Sequence, residues 1–107
     1  MEQERYEDAL PFMLDIRERS LRTLGGDHLL TIESEHNLGV LEFRLGRHAE
    51  AEPLLLDSLA SFRRVLGDDH PSIPLAMEML PLLYEAWGRS EEAERYRAEL
   101  ERIQATP

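Results

Sequence analysis

Two Asp-His pairs are the residues of this chain whose types most invite chemistry. Asp27-His28 lies in LGGDHL at 24–29, and Asp69-His70 lies in LGDDHP at 66–71, an offset of 42. A carboxylate beside an imidazole can orient a general base or offer two donors to a metal ion. Each pair supplies two ligands and no visible third, and neither His36 nor His48 stands at ligand spacing from them. There is no cysteine, which excludes thiol nucleophiles, disulfides and cysteine–zinc sites. Carboxylates are plentiful but fall at helical spacing over exposed faces. No nucleophile–base pair, glycine-rich phosphate loop or metal cluster is visible. The sequence therefore predicts a protein that is not an enzyme, with no catalytic residues, no metal and no cofactor, and both pairs read as structural joints.

The joints recur because the chain around them recurs. Laid over 47–88, residues 5–46 align RYEDALPF with RHAEAEPL, Ala9 with Ala51 and Pro11 with Pro53. Leu24, Gly25, Asp27 and His28 fall on Leu66, Gly67, Asp69 and His70; Leu38 falls on Leu80 and Gly46 on Gly88. A third copy begins at RSEEAERY, 89–96, with Ala93 in step with Ala51. A fixed period of this length marks stacked supersecondary units. Each unit reads as two helices. In HAEAEPLLLDSLASFRRVL, 48–66, the positions Ala51, Leu54, Leu55, Leu59, Phe62 and Leu66 recur at steps of three and four, as one buried helix face requires. Residues 30–45 repeat the pattern through Ile32, Leu38, Leu41 and Leu45, and no segment alternates strictly, so no strands are predicted.

Glycine punctuates the helices. Gly46 and Gly88 suit left-handed stops in tight αα-turns, while Gly25 and Gly67 end the longer helices. In LGDDHP, then, glycine closes one helix, Asp69 and its neighbours are expected to cap the next, and Pro71 suits a first helical turn. His28 and His70 are expected to bond locally in the loop. Pro81, inside AMEMLPLLYEAW, lacks an N–H and crowds the carbonyl of Met77, so a kink is predicted near Met77–Pro81.

The composition narrows the partners. A formal charge of −10, with arginine as the only basic type besides histidine, argues against nucleic acid and anionic membrane, both of which need a positive field. No apolar run approaches the ~20 residues of a membrane span, and MEQERYEDAL is not a signal peptide. A cytoplasmic protein of one domain over 1–107 is expected.

NLGVLEFRLGRHAEAEPLLLDSL, 37–59, resembles a tetratricopeptide repeat: it has the Leu38-Gly39 pair, the aromatic Phe43, the turn glycine Gly46 and the small Ala51. The 42-residue period, EAEPL and the joint look like the longer kinesin-light-chain type of that repeat, also common in bacterial proteins. The resemblance implies an all-α, short right-handed solenoid of about five helices built from helical hairpins. The second helix of a first repeat would lie at 4–24, the second repeat at 29–66 and the third at 71–104. It also implies a protein-binding scaffold that holds a peptide or protein segment on a concave surface lined by the first helix of each pair. In this sequence those positions are Glu33, His36, Asn37, Val40, Phe43 and Arg44, then Leu75, Glu78, Met79, Leu82 and Glu85. The kinesin-light-chain type often places two asparagines at positions where only Asn37 stands here. The surface that remains is mixed apolar and acidic, suited to a peptide with hydrophobic anchors and positive charge.

One element is expected to be short of a neighbour. The helix at 4–24 aligns with a second helix, and its first-helix partner is absent, so its front is uncapped. Leu10, Phe12, Met13 and Leu14 then mark a self-association surface, through which two copies form a homodimer. Trimming from a longer array, as the C-terminal part of a larger signalling protein, and ordinary scattered surface apolar residues are the alternatives. At the far end the last helix is expected to bury Ala93, Tyr96, Leu100 and Ile103 and to carry a Glu91–Arg95 pair at i,i+4.

Overall fold

The computed structural model describes residues 2–105 and shows α-helix and no strand among them. The elements are α1 (Glu2–Leu24), α2 (Leu29–Arg44), α3 (His48–Leu66), α4 (Ser72–Met77), α5 (Met79–Ala86) and α6 (Ser90–Ala105). α4 and α5 form one rod interrupted at Glu78, whose backbone stays right-handed at φ −57° and ψ −27° and still bonds to the Pro74 carbonyl at 3.1 Å. Pro81 has no N–H for the Met77 carbonyl, and the interruption falls at Glu78, inside the Met77–Pro81 stretch where the sequence places a kink. Five rods result. Pro11 and Pro53 also lie inside helices, and those helices run on unbroken.

The 42-residue period is written in individual hydrogen bonds. Gly46 donates to Phe43 and Arg47 to Glu42, both at 2.9 Å; Gly88 donates to Glu85 at 3.1 Å and Arg89 to Tyr84 at 2.7 Å. These are the two bonds of a Schellman stop, with glycine in the left-handed position at φ +79° in both copies. A side chain there would meet its own backbone. The chain then re-enters a helix at once, and Ala51 and Ala93 donate to the carbonyls of Arg47 and Arg89.

α3 is the central rod, with α2 on one side and α4–α5 on the other. Its Ala51, Leu55, Leu59 and Phe62 join Ile32 of α2, Ile73, Met77, Leu80, Leu83 and Tyr84 of α4–α5 and Ala93 of α6 in one buried cluster. By area, each fully buried leucine contributes about 1.5–3 kcal/mol. α2 can lie this close to α3 because Gly39 has no side chain. A Cβ there would stand 2.9 Å from Leu55 Cδ2 and 3.1 Å from Leu54 Cβ. In α6, Ala93 is buried and Tyr96, Leu100 and Ile103 pack on the cluster's edge. Its ion pairs run Arg97–Glu94 and Arg102–Glu99, at i,i+3, rather than Glu91–Arg95. α1 differs from the other rods. It packs chiefly on α2, and none of its described side chains is fully buried.

Candidate protein-binding surface

The Asp-His joints are caps. His28 Nδ1 accepts the Leu30 N–H at 3.1 Å, and His70 Nδ1 accepts the Ser72 N–H at 3.1 Å. The histidine, and not Asp69, satisfies an orphan donor of the next helix. Asp27 accepts instead from Arg64 of α3 at 2.5 Å. Among the described residues no three His, Asp or Glu side chains gather as a metal ion would need.

The positions expected to line the first-helix surface divide by environment. Glu33, Asn37, Arg44, Glu78 and Glu85 are exposed, as are Leu75 at 64% and Leu82 at 50%. His36 turns toward α3, its ring edge-on to Phe62 at 6.2 Å, and burial pulls its pKa below the usual histidine value. Phe43 and Met79 are half-buried against the core, with the Phe43 ring 6.3 Å from His48. The Glu85 carboxylate is taken by Arg97 of α6.

An aromatic run continues from Phe43 and His48 through Trp87 and Tyr84 to Tyr96, with the Arg89 guanidinium 3.7 Å above the Trp87 ring. Tyr84 donates to Glu52 at 2.7 Å, and burial together with that carboxylate raises the phenol's pKa well above its ordinary range. This run ties the repeats together and leaves few of its faces to a ligand.

The four apolar positions of α1 do not form one patch. Met13 faces a groove between α1 and α2, where it lies beside Asn37, Val40 and Arg44. Leu10 and Leu14 line a different groove, with Arg17, Leu38, Glu42, Arg47 and Leu54, while Phe12 is 72% exposed. The Met13 groove is thus built from residues that sequence reasoning had placed in two separate sites. Tyr6 and Ala9 complete its floor and wall at one end, Ile16, Leu30 and Glu33 at the other, and Met13 and Asn37 border both parts. Sequence reasoning missed Tyr6, Ala9, Ile16 and Leu30 as lining residues. Their signal was the 42-residue register, which sets Ala9 on Ala51 and Met13 on Leu55. At one end of the groove Arg44 donates to the Tyr6 hydroxyl at 3.3 Å and lies over its ring at 5.7 Å.

Helical hairpins that repeat in sequence, share their turn bonds and expose the first helix of each pair define a stacked-repeat scaffold. The family model for the tetratricopeptide repeat matches the chain twice, over residues 1–62 and 33–104, and the chain belongs to that family. No curated protein matches it. Tetratricopeptide repeats generally mediate protein–protein interaction and are typically non-catalytic scaffolds. No helix among the described residues is long and apolar enough to cross a membrane.

Proposed function

We propose that this chain is a non-catalytic scaffold of the kinesin-light-chain type, in which one domain of stacked repeats holds a protein segment on the surface formed by α2 and α4–α5. The observation that carries this reading is the exposure of apolar Leu75 and Leu82 at the same repeat positions as Glu33 and Val40. Leu75 and Leu82 stand about two turns apart on the α4–α5 rod, in register with the acidic Glu33 and half-buried Val40 of α2, and give a peptide two hydrophobic anchors. Glu33, Glu78 and the net charge of −10 favour basic residues between the anchors. Selection from a displayed peptide library against the wild type is expected to enrich such sequences. The Leu75→Glu, Leu82→Glu double variant, both at exposed sites, should keep its helical circular dichroism and lose that enrichment; identical enriched sets would overturn the reading.

Homodimerisation through α1 is a second reading, favoured by Phe12 at 72% exposure and Leu14 at 46%. Light scattering over a range of concentrations checks it. A concentration-dependent species above 12.4 kDa that Phe12→Glu abolishes is the expected result, and a monomer throughout rejects it.

A further inference from the structure

We propose that the groove between α1 and α2 receives one amphipathic helix of a partner protein, laid parallel to α2 with a small residue crossing Met13. The proposal goes beyond the scaffold reading above, because this groove is lined by α1 and α2 and lies apart from Leu75 and Leu82.

The molecule carries its own template. Ala51 and Leu55 of α3 are fully buried because α2 lies across them, with Gly39 pressed on Leu54 and Leu55. Forty-two residues earlier, α1 presents Ala9, Phe12 and Met13 in place of Ala51, Leu54 and Leu55. No helix among the described residues lies across them. Ala9 and Met13 are only half-buried, and Phe12 and Ile16 stand exposed. The seat that α3 fills with a first helix is therefore present on α1, and no helix among the described residues fills it. α2 forms its second wall, with Val40 at its base. Ala9 adds to the fit, since its small side chain lets a helix backbone approach, as Ala51 does beneath α2.

Charge sets the direction of the incoming helix. Glu33 stands near the start of α2 and Arg44 at its end, eleven residues on, so they lie about 16 Å apart along the axis. Neither forms an ion pair with an opposite charge among the described residues; Arg44 is held by the Tyr6 hydroxyl and ring. A helix running parallel to α2 brings its positive N-terminal end to Glu33 and its negative C-terminal end to Arg44. The reversed helix sets like against like. The chemistry of the occupant follows: three or more turns, apolar residues at steps of three and four, glycine, alanine or serine over Met13, a basic first turn and an acidic last turn.

The probe is a synthetic peptide with the sequence of residues 29–45, carrying Glu33→Arg and Arg44→Glu so that its ends complement the groove. Anisotropy of the labelled peptide titrated with the full chain is expected to show binding, with a gain of peptide helicity by circular dichroism. Adding Gly39→Leu to the peptide should weaken binding about tenfold or more through overpacking on Met13. Restoring the original charges should weaken it at low salt, a difference that fades in about 1 M salt. In the chain, Ile16→Glu should abolish binding and Leu82→Glu should leave it unchanged.

Equal affinity for all three peptides overturns the proposal, and so does binding without helicity. A chain dimer that Phe12→Glu splits and the peptide does not displace also overturns it, because the seat then belongs to a second copy. Peptide loss on Leu82→Glu alone does the same while leaving the scaffold reading standing. Failure of that reading shows separately, in the library selection on the Leu75–Leu82 surface.

Discussion

Of Asp69 and its neighbours, all candidates to cap the next helix, histidine at residue 70 is the one that does so, and the reason lies in geometry a single residue long. From Nδ1 the imidazole reaches the N–H two residues on, at Ser72, as His28 reaches Leu30. Replacing a capping side chain by alanine costs about 0.5–2 kcal/mol. His70→Ala is therefore expected to lower the unfolding free energy from urea melts by that amount, while Asp69→Ala, at an exposed site, stays within about 0.5 kcal/mol of wild type. Equal losses would restore the aspartate as the cap. The repetition of Asp-His made the joint legible in the sequence. Which side chain caps was not, because both types can accept and only the placed backbone decides. His36 was legible only as a helix position, and its inward turn onto Phe62 depends on how α2 rolls against α3. Burial favours its neutral form, so its folded pKa lies below the ordinary 6.5. The sign follows: above pH 6.5 the contribution is fully present, and it is lost as pH falls from 6.5 toward the lowered folded value. Thermal melts from pH 7.5 to 5.5 should show a falling Tm, and His36→Gln should flatten that slope.

Among the elements, the second helices show how far a repeat pattern can be trusted. Ala9, Ala51 and Ala93 hold the same place in α1, α3 and α6, and helix ends recur 42 residues apart at Leu24 and Leu66 and at Arg44 and Ala86. Burial does not follow from the register. Ala51 and Ala93 are buried and Ala9 is not, because burial depends on the neighbour and α1 packs chiefly on α2. The same distinction explains why Met13 and Asn37 were assigned to different surfaces. Each was read along its own helix, and the groove between two helices has no signature on either one alone. An element with few buried contacts opens locally at lower cost than the core. Amide exchange in the middle of α1, around Met13, is expected to be on the order of a hundredfold faster than around Leu55–Leu59 of α3. Equal protection would mean that α1 shares the core's cooperativity. Slowing of the α1 amides on addition of the peptide described above would tie this mobility to the groove.

Across the whole molecule, stability is a sum of rods and the interfaces between neighbours, so the centre and the end of the stack respond unequally to the same kind of lesion. Leu55 is fully buried where α2, α3 and the rest of the core meet. Truncating it leaves a cavity that Gly39 cannot fill, and such a change costs about 2–5 kcal/mol. Against a total of about 5–15 kcal/mol for a chain of this size, that is a large fraction. Met13 is its counterpart at the same register position, but it is half-buried at the edge of an open groove. Met13→Ala removes less buried surface and leaves a site that water already reaches, so about 1 kcal/mol or less is expected by area. Urea melts followed by circular dichroism check both. Leu55→Ala should move the midpoint several times further than Met13→Ala, with unchanged slope if the stack still unfolds as one unit. A comparable shift for the two would show that α1 is anchored as firmly as α3. The seat on α1, and the partner helix assigned to it, would then lose their physical basis.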